Sequence, residues 1–277
     1  YARVRNCRIA AGEGLVGGAV SAPGIIVHRT ADLLAETVSA RLVTRLVDLV
    51  ASGRVASVVL TGGGIADRVH AAVASAPARD AVDWRRVEWW WGDERYLPPG
   101  DPDRNETQAR QALLDHIEVD PSRVHPMPAD DGTSDADTAA EAYARTLAQA
   151  TSPEDHAVVP SFDVLMLGVG PDGHIASLFP ERPALHEEDR PVVGVHGSPK
   201  PPPTRITLTF PALNHAREVW FLVSGVEKAK AVRLVLGGSG AMQTPASGVQ
   251  GTHRTLWLLD RDAASQLPHG LDRIASP

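Results

Sequence analysis

The chain has 277 residues, of which 43% are hydrophobic and 22% charged, as expected for a globular protein with a substantial core. Its formal charge of −7 at pH 7 argues against nucleic acid or an anionic membrane as the main partner, because both need a basic surface. A single cysteine, Cys7, excludes an internal disulfide, and no Cys/His cluster has the spacing of a metal site.

The apolar segments are too short for a membrane protein. None reaches the roughly 18 residues of a membrane span, and the first residues lack the apolar core of a signal peptide. These features favour a cytoplasmic protein of the size of an enzyme. Residues 1–24, rich in Gly and Ala, are expected to form a flexible N-terminal extension, and residues 25–277 a single catalytic α/β domain.

Strand and helix patterns alternate along this domain. In the first helix pattern, at 31–53, Leu34, Val38, Leu42 and Leu46 share one face. The other helix patterns lie at 65–75, 106–117, within 130–151 and at 225–238. Strand patterns lie at 25–28, 55–60, 87–91, 162–170, 205–210, 218–225 and 255–260. Strands with two buried faces that alternate with helices predict a three-layer α/β/α sandwich with a mainly parallel, Rossmann-like sheet.

Ligands of such a sheet bind at the loops that follow the carboxyl ends of its strands. Four loops have that position: 61–64 (TGGG), 92–95 (GDER), 168–174 (GVGPDGH) and 224–228 (SGVEK). The backbone N–H groups of Gly62, Gly63 and Gly64 could bind an anion at the start of the next helix, although a plain tight turn is an equal alternative.

The loop at 168–174 matches the pattern GxGxxG, but it does not predict a dinucleotide site. Asp172 would place a carboxylate against the pyrophosphate, and no acidic residue follows at the distance needed to hold a ribose. The same loop instead predicts an acid–base pair, in which Asp172 orients His174 and stabilises its protonated form. Alternatively, His174 is only a polar residue that opens a short helix, IASLF.

Three cations belong to these loops or lie near them. Arg95 and Lys228 follow strands, and Arg205 begins one after a proline-rich loop. Separately, each is more often a surface charge; together with the glycine turn they would form a phosphate pocket in an otherwise acidic chain.

These motifs together resemble the 6-phosphogluconolactonases of the pentose phosphate pathway. The resemblance extends over residues 25–260 and includes TGGG, WWWGDERYLPPGDPDRN, DVLMLGVGPDGHIASLFP, RITLTF and SGVEKAKAV. It implies the fold of sugar-phosphate isomerases and deaminases. It also implies hydrolysis of 6-phospho-D-glucono-1,5-lactone to 6-phospho-D-gluconate without a cofactor or metal, and a functional link to glucose-6-phosphate dehydrogenase.

The resemblance also implies roles for particular residues. His174 would activate water with Asp172 as its partner, while the glycine turn, Arg95 and Lys228 would hold the phosphate. One motif departs from the family, since the turn is TGGGIAD and has no hydroxyl after its third glycine. Thr61 or the backbone alone would replace that contact. Asp93 and Arg205 are further candidates for binding the substrate.

Two other functions remain open. A glucosamine-6-phosphate deaminase or another sugar-phosphate isomerase would have the same fold, but deaminases resemble Asn-x-Asp-Glu-Tyr where this chain has Trp-Gly-Asp-Glu-Arg at 91–95. A non-catalytic sensor would bind the sugar phosphate without turnover.

The tryptophan run at 89–91 comes directly before one of the candidate loops. Because side chains alternate along a strand, Trp89 and Trp91 should point to one face of the sheet and Trp90 to the other. We expect this packing to hold the following turn rigid, with Asp93 or Glu94 fixing the loop or Arg95.

Overall fold

The computed structural model describes residues 22–151, 157–268 and 270–275. Most of the predicted N-terminal extension, residues 1–21, therefore lies outside the described residues. The strands are β1 Gly24–His28, β2 Ala56–Leu60, β3 Val87–Trp91, β4 Asp93–Arg95, β5 Val164–Gly168, β6 Val192–Val195, β7 Arg205–Leu208, β8 Glu218–Val223, β9 Arg254–Asp260 and β10 Ile274–Ala275. The helices are α1 Ala31–Ala51, α2 Gly64–Ser75, α3 Asn105–Ala112, α4 Ala136–Gln149, α5 Phe210–Leu213 and α6 Ala229–Leu236.

Seven strands form one parallel sheet in the order β10-β1-β9-β8-β5-β2-β3. The prediction of a mainly parallel α/β fold is thus confirmed. Its central strands are buried on both faces, since every residue of β2 is buried. That burial explains why these segments read as continuous apolar runs rather than alternating ones.

Helix α1 shows how the apolar pattern produces its element. The Thr30 hydroxyl accepts a hydrogen bond from Leu33 N at 3.2 Å and so caps the first turn. The four leucine and valine side chains predicted to share a face are fully buried. The helix ends before Gly53, whose φ of +85° is a left-handed conformation that glycine adopts without strain.

A second, three-stranded antiparallel sheet has the order β4-β7-β6. Its strand β4 was not predicted, because residues 92–95 have the composition of a charged loop and only pairing with the distant β7 makes them extended. Gly92 joins the two sheets: its N–H donates to Leu60 O of β2 at 3.1 Å, and its carbonyl accepts from Leu208 N of β7 at 2.9 Å. Helix α4 packs on β6 and β7.

Two helical segments also differ from the sequence prediction. The helix expected at 106–117 ends at Ala112, because Leu113 leaves the helical conformation with φ −140° and only a 3₁₀ turn follows. The segment IASLF after His174 is not a helix. Ile175 and Leu178 form an isolated antiparallel bridge, with Ala176 between them at φ +45°.

The tryptophan run packs on both faces of β3, as predicted. Trp89 stacks on Trp84, with ring centroids 6.1 Å apart. Trp90 stacks on His125 on the opposite face and meets the ring of Tyr143 from α4 edge-on. These rings hold β3 between its neighbouring layers and so fix the point at which the chain enters β4. In the described part of the chain, no helix has the length and apolarity that a membrane crossing requires.

Candidate active site

A pocket of about 520 Å³ opens at the carboxyl ends of β2, β5 and β8, beside β4. Nine of the ten predicted site residues line it: Thr61, Gly62, Gly63, Gly64, Asp93, Arg95, His174, Arg205 and Lys228. The tenth, Asp172, is not among the lining residues but is hydrogen-bonded to His174, which is. All four loops chosen from the sequence therefore meet at one site, because the carboxyl ends of parallel strands share one edge of the sheet.

The glycine turn places the beginning of α2 at this pocket. Gly63 has φ +104° and precedes the first residue of α2, and no side chain caps that helix end. The free N–H groups of the first turn and the helix dipole make such an end favourable for an anion. Thr61 links this turn to β5, because its hydroxyl oxygen accepts a hydrogen bond from Gly168 N at 3.4 Å. The hydroxyl proton of Thr61 remains available to a ligand.

Asp172 and His174 form a hydrogen-bonded pair at the end of the β5 loop. His174 Nδ1 lies 2.5 Å from Asp172 Oδ1. An ionised carboxylate accepts the Nδ1 proton, so the neutral imidazole has its lone pair on Nε2. Among the described residues Nε2 has no hydrogen-bond partner, and the imidazole is part of the pocket lining. The pair can therefore take a proton from a molecule in the pocket.

One glycine of this loop makes room for the pair. A Cβ on Gly170 would lie 2.0 Å from His174 Nδ1 and 2.5 Å from Asp172 Oδ1. Gly173 has φ +83° and packs against Thr244. Within the GxGxxG pattern, Gly170 thus leaves the space that the pair occupies, whereas Gly173 is favoured by its positive φ.

Electrostatics keep Asp172 ionised. Burial acts to raise the pKa of Asp172, but the hydrogen bond from His174 and the electrostatic interactions with His174 and Lys200 outweigh it and lower the pKa to about 2. Lys200 Nζ lies 3.5 Å from His174 Nδ1 and 3.9 Å from Asp172 Oδ1. Burial, together with the nearby Lys228 and Arg205, lowers the pKa of Lys200 against the pull of Asp172.

Lys200, which lies in the proline-rich loop before β7, was not among the predicted site residues. Arg205 holds that loop: its Nη2 donates to Pro201 O at 3.0 Å and to Lys200 O at 3.2 Å, and its Nε donates to Pro202 O at 3.2 Å. Arg205 is 5% exposed, so its guanidinium fixes the loop rather than extending freely into the pocket. The only signal for Lys200 in the sequence is a lysine among prolines, which does not distinguish it from a surface residue.

Five cations line the described pocket, two more than the sequence analysis chose: Arg68, Arg95, Lys200, Arg205 and Lys228. Arg68 extends from α2 and pairs with Asp32 at 2.8 Å, where both side chains are largely exposed. Lys228 Nζ is 3.9 Å from Glu227 Oε1. With only Asp93 and Glu227 as acidic lining residues, the pocket is positive although the whole chain is acidic.

Asp93 and Glu94 build the wall that presents Arg95. Asp93 Oδ2 accepts from Ser177 Oγ at 2.6 Å and lies 3.9 Å from Arg205 Nη1. The fully buried Glu94 accepts from the backbone N–H groups of Arg95, Asn105 and Glu106 at 2.7–2.9 Å. Glu94 therefore ties β4 to the beginning of α3.

Burial raises the pKa of Glu94 to about 7, while Arg104 and the three backbone N–H groups act to lower it. Within residues 22–151, 157–268 and 270–275, no group of three or more His, Cys, Asp or Glu side chains is arranged to hold a metal ion. The pocket instead brings together an imidazole–carboxylate pair and several cations.

Comparisons with known proteins identify the family of this chain. The family model for glucosamine-6-phosphate isomerases/6-phosphogluconolactonase matches residues 29–257, and the chain belongs to this family. It is 60% identical over 256 residues to a 6-phosphogluconolactonase of Streptomyces coelicolor, an alignment that covers 92% of this chain and 98% of that protein.

Solved structures show the same fold. The 6-phosphogluconolactonase of Trypanosoma brucei matches with a TM-score of 0.78 at 28% identity, covering 89% of this chain and 99% of that one. A monomeric glucosamine-6-phosphate deaminase matches with a TM-score of 0.70 at 20% identity, covering 87% and 99%. At that identity the deaminase shares the fold alone. The family resemblance stated from the sequence is confirmed.

Proposed function

We propose that this protein hydrolyses 6-phospho-D-glucono-1,5-lactone to 6-phospho-D-gluconate. The observation that carries the proposal is the His174–Asp172 pair, which offers a basic Nε2 to a pocket lined by five cations. The lactone is an activated ester joined to a phosphate, and it needs a base at one end of its site and positive charge at the other. The 60% identity to the S. coelicolor protein supports a lactonase rather than a deaminase.

In the proposed reaction, His174 Nε2 takes a proton from a water molecule as the water oxygen bonds to the lactone carbonyl carbon. General-base catalysis of this kind contributes roughly 10²- to 10⁴-fold in rate. When the tetrahedral intermediate collapses, the bond from this carbon to the ring oxygen breaks. The ring oxygen receives the proton from Nε2, and the new carboxylic acid loses its own proton to solvent.

Each of the other polar groups has a distinct part in the proposal. Asp172, ionised through its low pKa, holds the imidazole in the required tautomer and stabilises its protonated form. Lys200 Nζ lies 3.5 Å from the imidazole of His174. We therefore assign to Lys200 the stabilisation of the negative charge that develops on the carbonyl oxygen. The N–H groups of the glycine turn, with Arg95 and Lys228, bind the phosphate.

This function implies a place for the protein in the cell. The lactone is formed when glucose 6-phosphate is oxidised, so the proposal includes a functional link to glucose-6-phosphate dehydrogenase and a cytoplasmic location. The single cysteine of the chain is consistent with a reducing compartment.

A coupled assay tests the proposal. Glucose-6-phosphate dehydrogenase generates the lactone in place, and its opening is followed by proton release with and without the protein. We expect ring opening well above the spontaneous rate. Opening at the spontaneous rate, combined with tight binding of 6-phosphogluconate, would instead identify a sensor. Release of ammonia from glucosamine 6-phosphate would identify a deaminase.

A further inference from the structure

The side chain of Asn105 lies between β4 and the glycine turn. It is the first residue of α3 and is 3% exposed. Its Nδ2 donates to Asp93 O at 2.8 Å and lies 3.3 Å from Asp93 Oδ1, while its backbone N–H donates to Glu94 Oε1 at 2.7 Å. The carboxamide is therefore held firmly on the β4 side.

On its other side, the Asn105 carboxamide fills the space where a side chain of Gly62 would stand. A Cβ on Gly62 would lie 1.9 Å from Asn105 Oδ1 and 2.6 Å from its Cγ. Gly63 differs, because a Cβ there would meet nothing within 4 Å, and its φ of +104° is what favours glycine. Glycine is thus required at 62 for space and at 63 for conformation.

The orientation of the carboxamide is defined by its partners. Both groups that Nδ2 approaches are oxygens, so turning the amide over would place Oδ1 against them. Oδ1 therefore faces Gly62, where it is buried and has no hydrogen-bond donor among the described residues. An unpaired buried acceptor is unfavourable for folding, so retaining a carboxamide here requires another explanation.

We infer that Asn105 is a positioning residue, whose carboxamide sets the distance between β4 and the glycine turn. Through that distance it aligns the N–H groups at the beginning of α2 with Arg95, which follows Asp93 and Glu94 on β4. The inference rests on the proposed function, in which the turn and Arg95 bind the same phosphate group. Asn105 is also one of the residues that line the pocket, but the inferred role acts through this distance and requires no contact with the substrate.

A double-mutant cycle tests this inference. Asn105→Ala should raise KM for the phosphorylated lactone about tenfold with kcat nearly unchanged, since a small misplacement weakens a multi-point contact. The same variant should leave the kinetics of unphosphorylated glucono-1,5-lactone unaltered. Gly62→Ala should be more harmful, because its methyl group collides with the carboxamide. The double variant should bind phosphate better than Gly62→Ala alone, because the methyl group then has room.

Losses that simply multiply in the double variant would overturn the inference, as would an equal loss on both lactones. Asn105→Ser provides a second route if Asn105→Ala does not fold, since serine keeps a donor for Asp93 but lacks the group that faces Gly62. Gln111→Ala, an exposed change on the same helix, is the matched control and should leave both KM values unchanged.

Calorimetric titration with inorganic phosphate separates this inference from the proposed function. If the unmodified protein binds phosphate but does not open the lactone, the proposed function fails. The double-mutant cycle of Asn105 and Gly62 can then still be evaluated from the dissociation constants of phosphate. If the protein opens the lactone and the cycle shows no coupling, only the role of Asn105 is wrong. Absence of both phosphate binding and lactonase activity would overturn both.

Discussion

Two glycine-rich loops line the same pocket, and their glycines serve opposite purposes. In the loop at 168–174, Gly170 leaves room for the protein's own His174 and Asp172. In the turn at 61–64, Gly63 adopts a left-handed conformation, and the uncapped beginning of α2 faces the pocket. The first loop brings a reactive side chain into place, whereas the second leaves backbone N–H groups free. Similar glycine patterns can therefore indicate either a catalytic side chain or an anion site.

The largest expected effect lies in the loop at 168–174. His174→Ala should lower kcat by roughly 10² or more with KM little changed, because the base acts in the transition state and not in holding the phosphate. The coupled lactone assay measures both constants after subtraction of the spontaneous rate. Near-normal turnover would show that His174 is not the base.

Gly170→Ala tests the claim that the glycine makes room for the pair. The added methyl group would lie 2.0 Å from His174 Nδ1, and the side chains of the pair must move while the backbone can stay. We expect a fall in kcat of about 10-fold to 100-fold with the fold retained. Far-ultraviolet circular dichroism checks that the fold is retained, and lactone kinetics measure the fall in kcat. An unchanged kcat would mean that the pair tolerates displacement.

Substitution of the cations near the turn at 61–64 should change KM, whereas substitutions in the loop at 168–174 should change kcat. Arg95→Ala and Lys228→Ala should each raise KM for the phosphorylated lactone about tenfold, since each removes a charged contact to phosphate. Neither should alter hydrolysis of unphosphorylated gluconolactone. Comparable losses of activity on the two lactones would show that Arg95 and Lys228 do not act through the phosphate. The two loops would then not differ in function as described above.

The smallest catalytic effect is expected for His70, on α2 behind the glycine turn. His70 is 1% exposed, and neither ring nitrogen has a partner among the described residues. Burial lowers its pKa from 6.5 to about 4. The folded state therefore keeps the ring neutral, and its contribution to stability is complete above about pH 6.5 and is lost as the pH falls towards 4.

Replacing His70 should reduce this sensitivity to acid. The free energy of unfolding should fall between pH 6.5 and 4 in both proteins. In His70→Leu this fall should be smaller than in the unmodified protein, by up to about 3 kcal/mol. Urea unfolding across this pH range measures the difference, and lactonase kinetics at neutral pH should not change. An unaltered pH dependence of stability would mean that His70 does not titrate with folding.

Much of the architecture follows from local patterns. Apolar runs in β2, β3, β5, β8 and β9 required burial on both faces, and the helix periods between them led to a parallel sheet. Once the strands were assigned, the four candidate loops followed, because each comes directly after a strand. Strand β4 was missed and α3 is shorter than predicted; both are short and polar, and long-range pairing or a single backbone dihedral decides them.

The sequence by itself determined the layer order of strand and helix, the family motifs, and the acid–base pair in which His174 and Asp172 are two residues apart. Only the tertiary structure decided which distant groups join that pair. Lys200 reaches it because Arg205 holds the proline loop, and Asn105 meets Gly62 because Glu94 ties α3 to β4. Local periodicity records burial within one element, whereas these contacts depend on side chains from segments far apart in the chain.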